Sequence, residues 1–275
     1  MDFQNLQDEL IEKKLNLTEY LKKSKDVVKV FLKENKLWTI FFIIANIWML
    51  FCAAFEKKLT SESYVRLYNS FRYLISMLNT VASVYSNLFY TAVIMKIGFK
   101  IENREDEFTL KKSLFKFLVL TLLYFAIGMA IALLIFPAAI MLLISEANFI
   151  GTVIAGIIVI AIIVFLVIMF LYFVQIYCIR KMTIIDALQY NLEISGGNRT
   201  RAVVPIIIFV LLNAILRIPF SLPIFYKITS IIIFPICIVI GIISSFLGIF
   251  IAIMGVIIFL NVEYDYLKKQ NKNLQ

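Results

Sequence analysis

Histidine is absent from this 275-residue chain, and only 16% of its residues are charged. A soluble domain of that length carries about a quarter charged residues. The missing imidazole removes the commonest general base and metal ligand. Cysteine is scarce too. Cys52, Cys178 and Cys237 lie in or beside apolar segments, where they read as small buried hydrophobes rather than a disulfide or metal set. The sequence shows no carboxylate pair, no metal-ligand cluster and no Gly-rich phosphate loop. The Gly196-Gly197 pair follows no strand and reads as a plain loop. No catalytic residue, metal or cofactor is assigned, and the expectation is a protein that is not an enzyme.

What the chain has instead is hydrocarbon. Hydrophobic residues make up 62%, and the charges are segregated between long windows that contain none. A soluble helix needs a polar face, and these windows have none wide enough. A bilayer tolerates them. The net charge of +9 raises nucleic acid as a partner, but the basic residues sit beside hydrophobic spans, where they serve topology and anionic headgroups. Nucleic acid is therefore set aside. A charged stretch of about 36 residues precedes the first window with no small-residue cleavage site after it, so that window reads as an anchor rather than a signal peptide.

Six spans follow, each needing roughly 20 apolar residues. They run from about Leu37 to Phe55, Tyr73 to Ile97 and Phe117 to Ile144, then within Ala147 to Ile179, from Ala202 to Ser221, and in the later part of Ile228 to Val262. The last window is too long for one simple crossing. Its 35 charge-free residues would reach ~52 Å as a helix, against a hydrocarbon core of ~30 Å. Pro219, Pro223 and Pro235 fall before or early in it, and proline breaks or kinks helices. Arg217 to about Pro235 therefore reads as an irregular or interfacial connection, with a re-entrant hairpin or a seventh short span as the alternative.

Orientation comes from lysine and arginine. Eight precede Leu37, six lie from Lys96 to Lys116, four from Arg180 to Arg201 and three after Asn261, so 21 of 27 fall on one side of a six-span layout. The other side holds six. The positive-inside rule makes the rich side cytoplasmic, with both termini there. The expected fold is all-α: an integral membrane bundle of about six transmembrane helices, with short amphipathic cytoplasmic helices before spans 1, 3 and 5. Residues 1-36 form a cytoplasmic amphipathic segment, 37-262 the transmembrane domain and 263-275 a basic cytoplasmic tail. In the first segment Leu17, Leu21, Val28 and Phe31 can share a face, with Lys22, Lys25, Lys29 and Lys33 mostly elsewhere. That pattern suits a helix along the headgroups or one packed on cytoplasmic loops. Basic stretches at Phe108 to Lys116 and Ile185 to Arg201 also precede spans, and the spans begin near 37, 117 and 202. The spacing suggests a threefold unit of surface helix, outward span and return span, although any six-span protein alternates.

Polar residues inside spans are the candidate sites, because lipid makes them costly. Asn79, Ser83, Ser86 and Asn87 form a stripe in the second span, either bonding between helices or lining a pathway; the first is the plainer explanation. Asn46, Gln175 and Asn213 stand singly. Arg217 can snorkel to the outer interface or hold an anionic group or headgroup. In the last span Gly241, Ser245, Gly248, Ala252 and Gly255 recur by four and three, a seam where helix backbones approach closely, and Gly128 and Ala132 form a shorter one.

The segment from Tyr172 to Leu212 carries Ile185-Asp186-Ala187-Leu188, Glu193-Ile194-Ser195 and Gly197-Asn198, then a hydrophobic helix; the chain ends with Val262-Glu263-Tyr264-Asp265-Tyr266-Leu267 and a basic tail. In these features it resembles the bacterial six-span membrane-domain family related to the membrane domain of glycerophosphodiester phosphodiesterases. The likeness covers nearly the whole layout but only about 40 residues of loose motif. It implies a helical bundle. Catalysis in fused members belongs to a separate soluble barrel, so no residue is carried over as catalytic. The function expected is a multi-pass protein of the bacterial inner membrane acting through membrane lipids or a protein partner, which includes a homo-oligomer. The alternative is a transporter or pore subunit for a small solute or lipid.

Overall fold

The computed structural model describes residues 2–59, 65–144, 170–218 and 230–273, with the isolated positions 157 and 166. Every regular element among them is helical. In chain order they are α1 (Phe3–Glu12), α2 (Leu17–Glu34), α3 (Lys36–Leu59), α4 (Val65–Ile101), a 3-10 turn (Glu105–Glu107), α5 (Leu110–Ile144), α6 (Phe173–Ile179), α7 (Ile184–Ser195), α8 (Arg199–Arg217) and α9 (Ser230–Asn273).

Among the described residues four helices contain a stretch long and apolar enough to cross a membrane: Lys36–Ala54 in α3, Leu110–Leu133 in α5, Arg199–Leu216 in α8 and Phe234–Asn271 in α9. They hold the predicted first, third, fifth and sixth spans. The predicted second span lies inside α4, whose 37 residues extend ~55 Å without interruption. Its length suffices, but Ser76, Asn79, Thr80, Ser83, Ser86 and Asn87 keep it from being as apolar as the others. Most of the predicted fourth span, within Ala147 to Ile179, lies outside the described residues. Apart from positions 157 and 166, only its end is described, as a turn at 170–172 leading into α6.

Three boundaries differ from expectation. Phe108 to Lys116 forms no separate surface helix. Thr109 caps α5, accepting from Lys112 N–H at 3.2 Å, so the lysines at 111, 112 and 116 occupy the first turns of one long helix. Pro235 does not mark the end of an irregular connection. It lies inside α9, which is already helical from Ser230; five residues into a helix, a proline forfeits one backbone bond rather than the whole element. Residues 219–229 of that connection lie outside the described residues. Finally, α9 passes through Val262 without a break, because neither glycine nor proline interrupts 256–273.

The 44 residues of α9 extend ~66 Å, more than twice a hydrocarbon core. From Ile253 to Glu263 it is buried on almost every side: Ile253, Val256, Ile257, Phe259, Leu260 and Val262 are all inaccessible, and exposure returns only from Leu267. A helix apolar all round must be sheathed by other elements, and here α1, α2, α4, α6 and α7 surround it. The core of the molecule therefore sits at the end where the basic residues gather. The capping box of α2 starts that sheath, with Glu19 N–H on Asn16 Oδ1 at 2.9 Å and Asn16 N–H on Glu19 Oε2 at 2.8 Å. The buried face of α2 is Tyr20, Ser24, Val27 and Phe31, flanked by Leu21 and Val28. That face meets the chain's own last helix, so it is not free to lie in headgroups. At the opposite extreme, Leu118, Leu122, Phe125, Met129 and Leu133 of α5 are exposed.

Candidate functional site

Three distant segments of the chain converge at the basic end of the bundle. Glu102 follows the last residue of α4, Arg180 caps α6, and Glu263 is carried by α9. Arg180 takes both Glu102 oxygens with two nitrogens, each at 2.7 Å, and turns Nε and Nη2 onto Glu263, with Nε at 2.9 Å from Oε1. Bidentate geometry of this kind is the strong form of a carboxylate pair. The site is dry: the Glu263 side chain is 2% exposed and that of Glu102 7%. Tyr190 and Tyr264 donate to Glu263 and Glu102 at 3.1 and 3.3 Å. Burial alone would lower the Arg180 pKa, but the bonds and charges of Glu263 and Glu102 outweigh it and raise it. Arg104 extends the chain of charges, bonding Glu102 at 3.0 Å and both oxygens of Glu107. Arg104 and Lys181 together hold the Glu107 carboxyl at about 2.

A second node fastens the amino-terminal helices. Asn261 of α9 is 1% exposed, and its amide reaches five groups. Its oxygen accepts from Leu15 N–H at 3.1 Å, from the Tyr20 hydroxyl at 2.7 Å and from Arg201; its nitrogen donates to the carbonyls of Leu10 at 2.7 Å and Lys13 at 2.8 Å. Arg201, at the start of α8, also donates to Tyr20. Between α7 and α8 Gly197 takes φ +75, a left-handed turn that glycine adopts without cost. The buried Asn198 beside it accepts through its carbonyl from Tyr172 at 3.2 Å.

Beside the arginine clamp opens a cleft of about 450 Å³ between the ends of α4 and α6 and the start of α5. Lys111, Lys112, Lys116 and Lys181 line it together with Arg180 and Glu107, over apolar walls that include Met95, Phe99 and Phe115. Lys116 Nζ stands 3.8 Å above the Tyr177 ring, a cation–π contact. Among the described residues no carboxylate pairs with Lys111, Lys112 or Lys116, whereas Glu107 is already satisfied by Arg104 and Lys181. The cleft is therefore cationic on its rim and oily inside.

The residues singled out from sequence lie elsewhere. Asn79 and Ser83 are half-buried, Ser86 is buried, and Asn87 is exposed, so the stripe splits. Asn79 Oδ1 and Ser86 Oγ are buried without a hydrogen-bond partner among the described residues. An apolar groove of about 390 Å³ between α3 and α4 is lined by residues such as Trp48, Leu78, Val81 and Tyr85, and by none of the stripe. Asn46 donates to the Phe42 carbonyl within its own helix at 2.9 Å, while Gln175 Oε1 is buried without a partner among the described residues. Arg217 is the last residue of α8, and its side chain lies outside the described residues. Along the seam, a Cβ on Gly241 would stand 2.5 Å from Ile47 Cγ1 of α3, one on Gly248 would strike Tyr90 of α4, and one on Gly255 would lie 2.8 Å from Gln175 Nε2. Ser245 donates to the Gly241 carbonyl at 2.7 Å. Gly128 has nothing within 4 Å.

No family model, curated protein or solved structure matches the chain. Fold and site thus define a class: a protein whose described residues are all-helical, with four helices among them fit to cross a membrane, knotted at one end by buried charge pairs.

Proposed function

We propose that the chain is a six-span protein of a bacterial inner membrane, with both termini cytoplasmic. In this reading it is non-enzymatic and acts through contacts that its basic end makes with lipids or a partner protein. A parity argument supports the six spans. Lys100 bonds Glu34 at 2.7 Å, and Arg180 bonds both Glu102 and Glu263, so these five residues share one side. Each interval between them must then contain an even number of crossings. The interval from 34 to 100 holds α3 and α4, which supports reading α4 as a crossing helix despite its polarity. The interval from 180 to 263 holds α8 and the first half of α9. That from 102 to 180 holds α5 and the predicted fourth span, most of which lies outside the described residues. The resemblance to the phosphodiesterase-linked membrane domain agrees with this layout.

The observation that carries the functional reading is the cationic cleft, placed where an apolar helix begins and where headgroups would lie. It is tested by reconstituting the protein into nanodiscs of phosphatidylcholine with and without anionic lipid. Anionic lipid should raise the unfolding temperature, and raised salt should diminish the gain; equal stability in both would count against the reading. The transporter alternative draws on the unpartnered Asn79 and Ser86 oxygens in α4. Solute flux through the purified protein in liposomes would favour it.

A further inference from the structure

We infer that the cleft at the foot of α5 is a binding site for one anionic phospholipid, its phosphate held by Lys111, Lys112 and Lys116 and its first acyl carbons by Phe115. This rests on the reading of α5 as a membrane-crossing helix. Three observations meet at the same place. First, the three lysines have no carboxylate partner among the described residues, while the neighbouring Arg180 and Glu107 have theirs, so the local positive charge is uncompensated. Second, the interior of the cleft is hydrocarbon and ring carbon, a wall that free phosphate cannot use but a lipid can. Third, the cleft continues into an exposed stripe. Phe115, Leu118, Leu122, Phe125 and Met129 follow one another by three and four along α5, so they share one face, and all are exposed. Phe115 stands at the junction, lining the cleft and 62% exposed. A diacyl phosphate therefore meets cations at its head and a continuous apolar track for its tail. A free anion meets only the head.

The full-length protein in a mild non-ionic detergent is titrated with dioleoyl phosphatidylglycerol, dioleoyl phosphatidylcholine or sodium phosphate, and bound lipid is counted by native mass spectrometry. Wild type is expected to hold phosphatidylglycerol at least tenfold more tightly than phosphatidylcholine. The preference should fall roughly fivefold for each lysine removed, and the triple variant Lys111→Gln, Lys112→Gln, Lys116→Gln should lose it. The matching triple lysine-to-arginine variant should keep it, which separates lost charge from lost fold. Phe115→Ser should weaken dioleoyl phosphatidylglycerol and its dihexanoyl analogue alike but leave the weak binding of sodium phosphate unchanged. An undiminished preference in the glutamine variant would overturn the site and leave the membrane reading intact. Equal competition by sodium phosphate would overturn the lipid assignment. Release of the chain into buffer without detergent would overturn the membrane reading itself.

Discussion

Replacing Arg180 with alanine strips two carboxylates of their shared partner. Four hydrogen bonds vanish at once, two to Glu102 and two to Glu263. Glu263 cannot turn to water, because its side chain is 2% exposed and α9 cannot rotate without dislodging Asn261 two residues earlier. The two carboxylates, until then bridged by one guanidinium, also repel. Removing one partner of a buried pair costs about 3–5 kcal/mol. The side chain of Arg180 is itself only 18% exposed, so solvent screening reduces this little. Arg180→Lys should recover only part, since one ammonium cannot satisfy two bidentate partners. Neutralising all three, with Arg180→Met, Glu102→Gln and Glu263→Gln, should return most of the stability, because no unpaired charge then remains buried. The assay is reversible unfolding in mixed micelles, followed by circular dichroism and by the fluorescence of Trp38 and Trp48. A loss below ~1 kcal/mol for Arg180→Ala would refute the claim that the clamp binds the three segments together.

Other perturbations probe separate parts. Asn261→Ala leaves the carbonyls of Leu10 and Lys13 without that donor and should cost about 1–3 kcal/mol; limited proteolysis should then cut within residues 3–34 faster than in wild type. Gly241→Val drives a side chain to within 3.0 Å of the Ile47 Cα and should destabilise by ~1–3 kcal/mol, whereas Gly128→Ala meets open space and should stabilise by ~0.5–1 kcal/mol, both read from unfolding midpoints. Glu107 is held below its ordinary value of 4.5, at about 2, chiefly by the Arg104 hydrogen bonds and then by Lys181. Its contribution is therefore fully present above pH 4.5 and lost as pH falls toward 2. The stability gap between wild type and Glu107→Gln should be flat at neutral pH and close over that window.

The apolar windows were legible because solvent writes them into composition. The stretches 37–54 and 117–133 inside Lys36–Ala54 and Leu110–Leu133 hold no charge at all, and that composition alone marks them as fit for hydrocarbon, whatever their neighbours. The clamp and the asparagine node were not legible, for the opposite reason. Glu102, Arg180, Glu263 and Asn261 are single polar residues at the ends of apolar runs, and apart from Arg104 their partners lie 60 to 251 positions away in sequence. No periodicity marks such a pair. What a closer reading could use is position: a lone carboxylate or arginine directly after a span is placed to meet another at the same depth. The burial of α2 was half legible. Its helical period gives a face, but the same face suits headgroups or protein, and only the length of α9 beyond a bilayer decides for protein. The cleft was visible merely as a count of lysines, since its shape depends on α5 starting at Leu110 rather than after a separate surface helix.

The parity of the crossings is the claim on which the rest depends, and single-cysteine labelling tests it most directly. In a background with Cys52, Cys178 and Cys237 replaced by serine, Lys111→Cys, Lys181→Cys and Lys269→Cys are each exposed to a membrane-impermeant maleimide in sealed, oriented vesicles. All three should label from the cytoplasmic side alone. Labelling of any one from the opposite side would separate the partners of Arg180 across the bilayer and contradict the account.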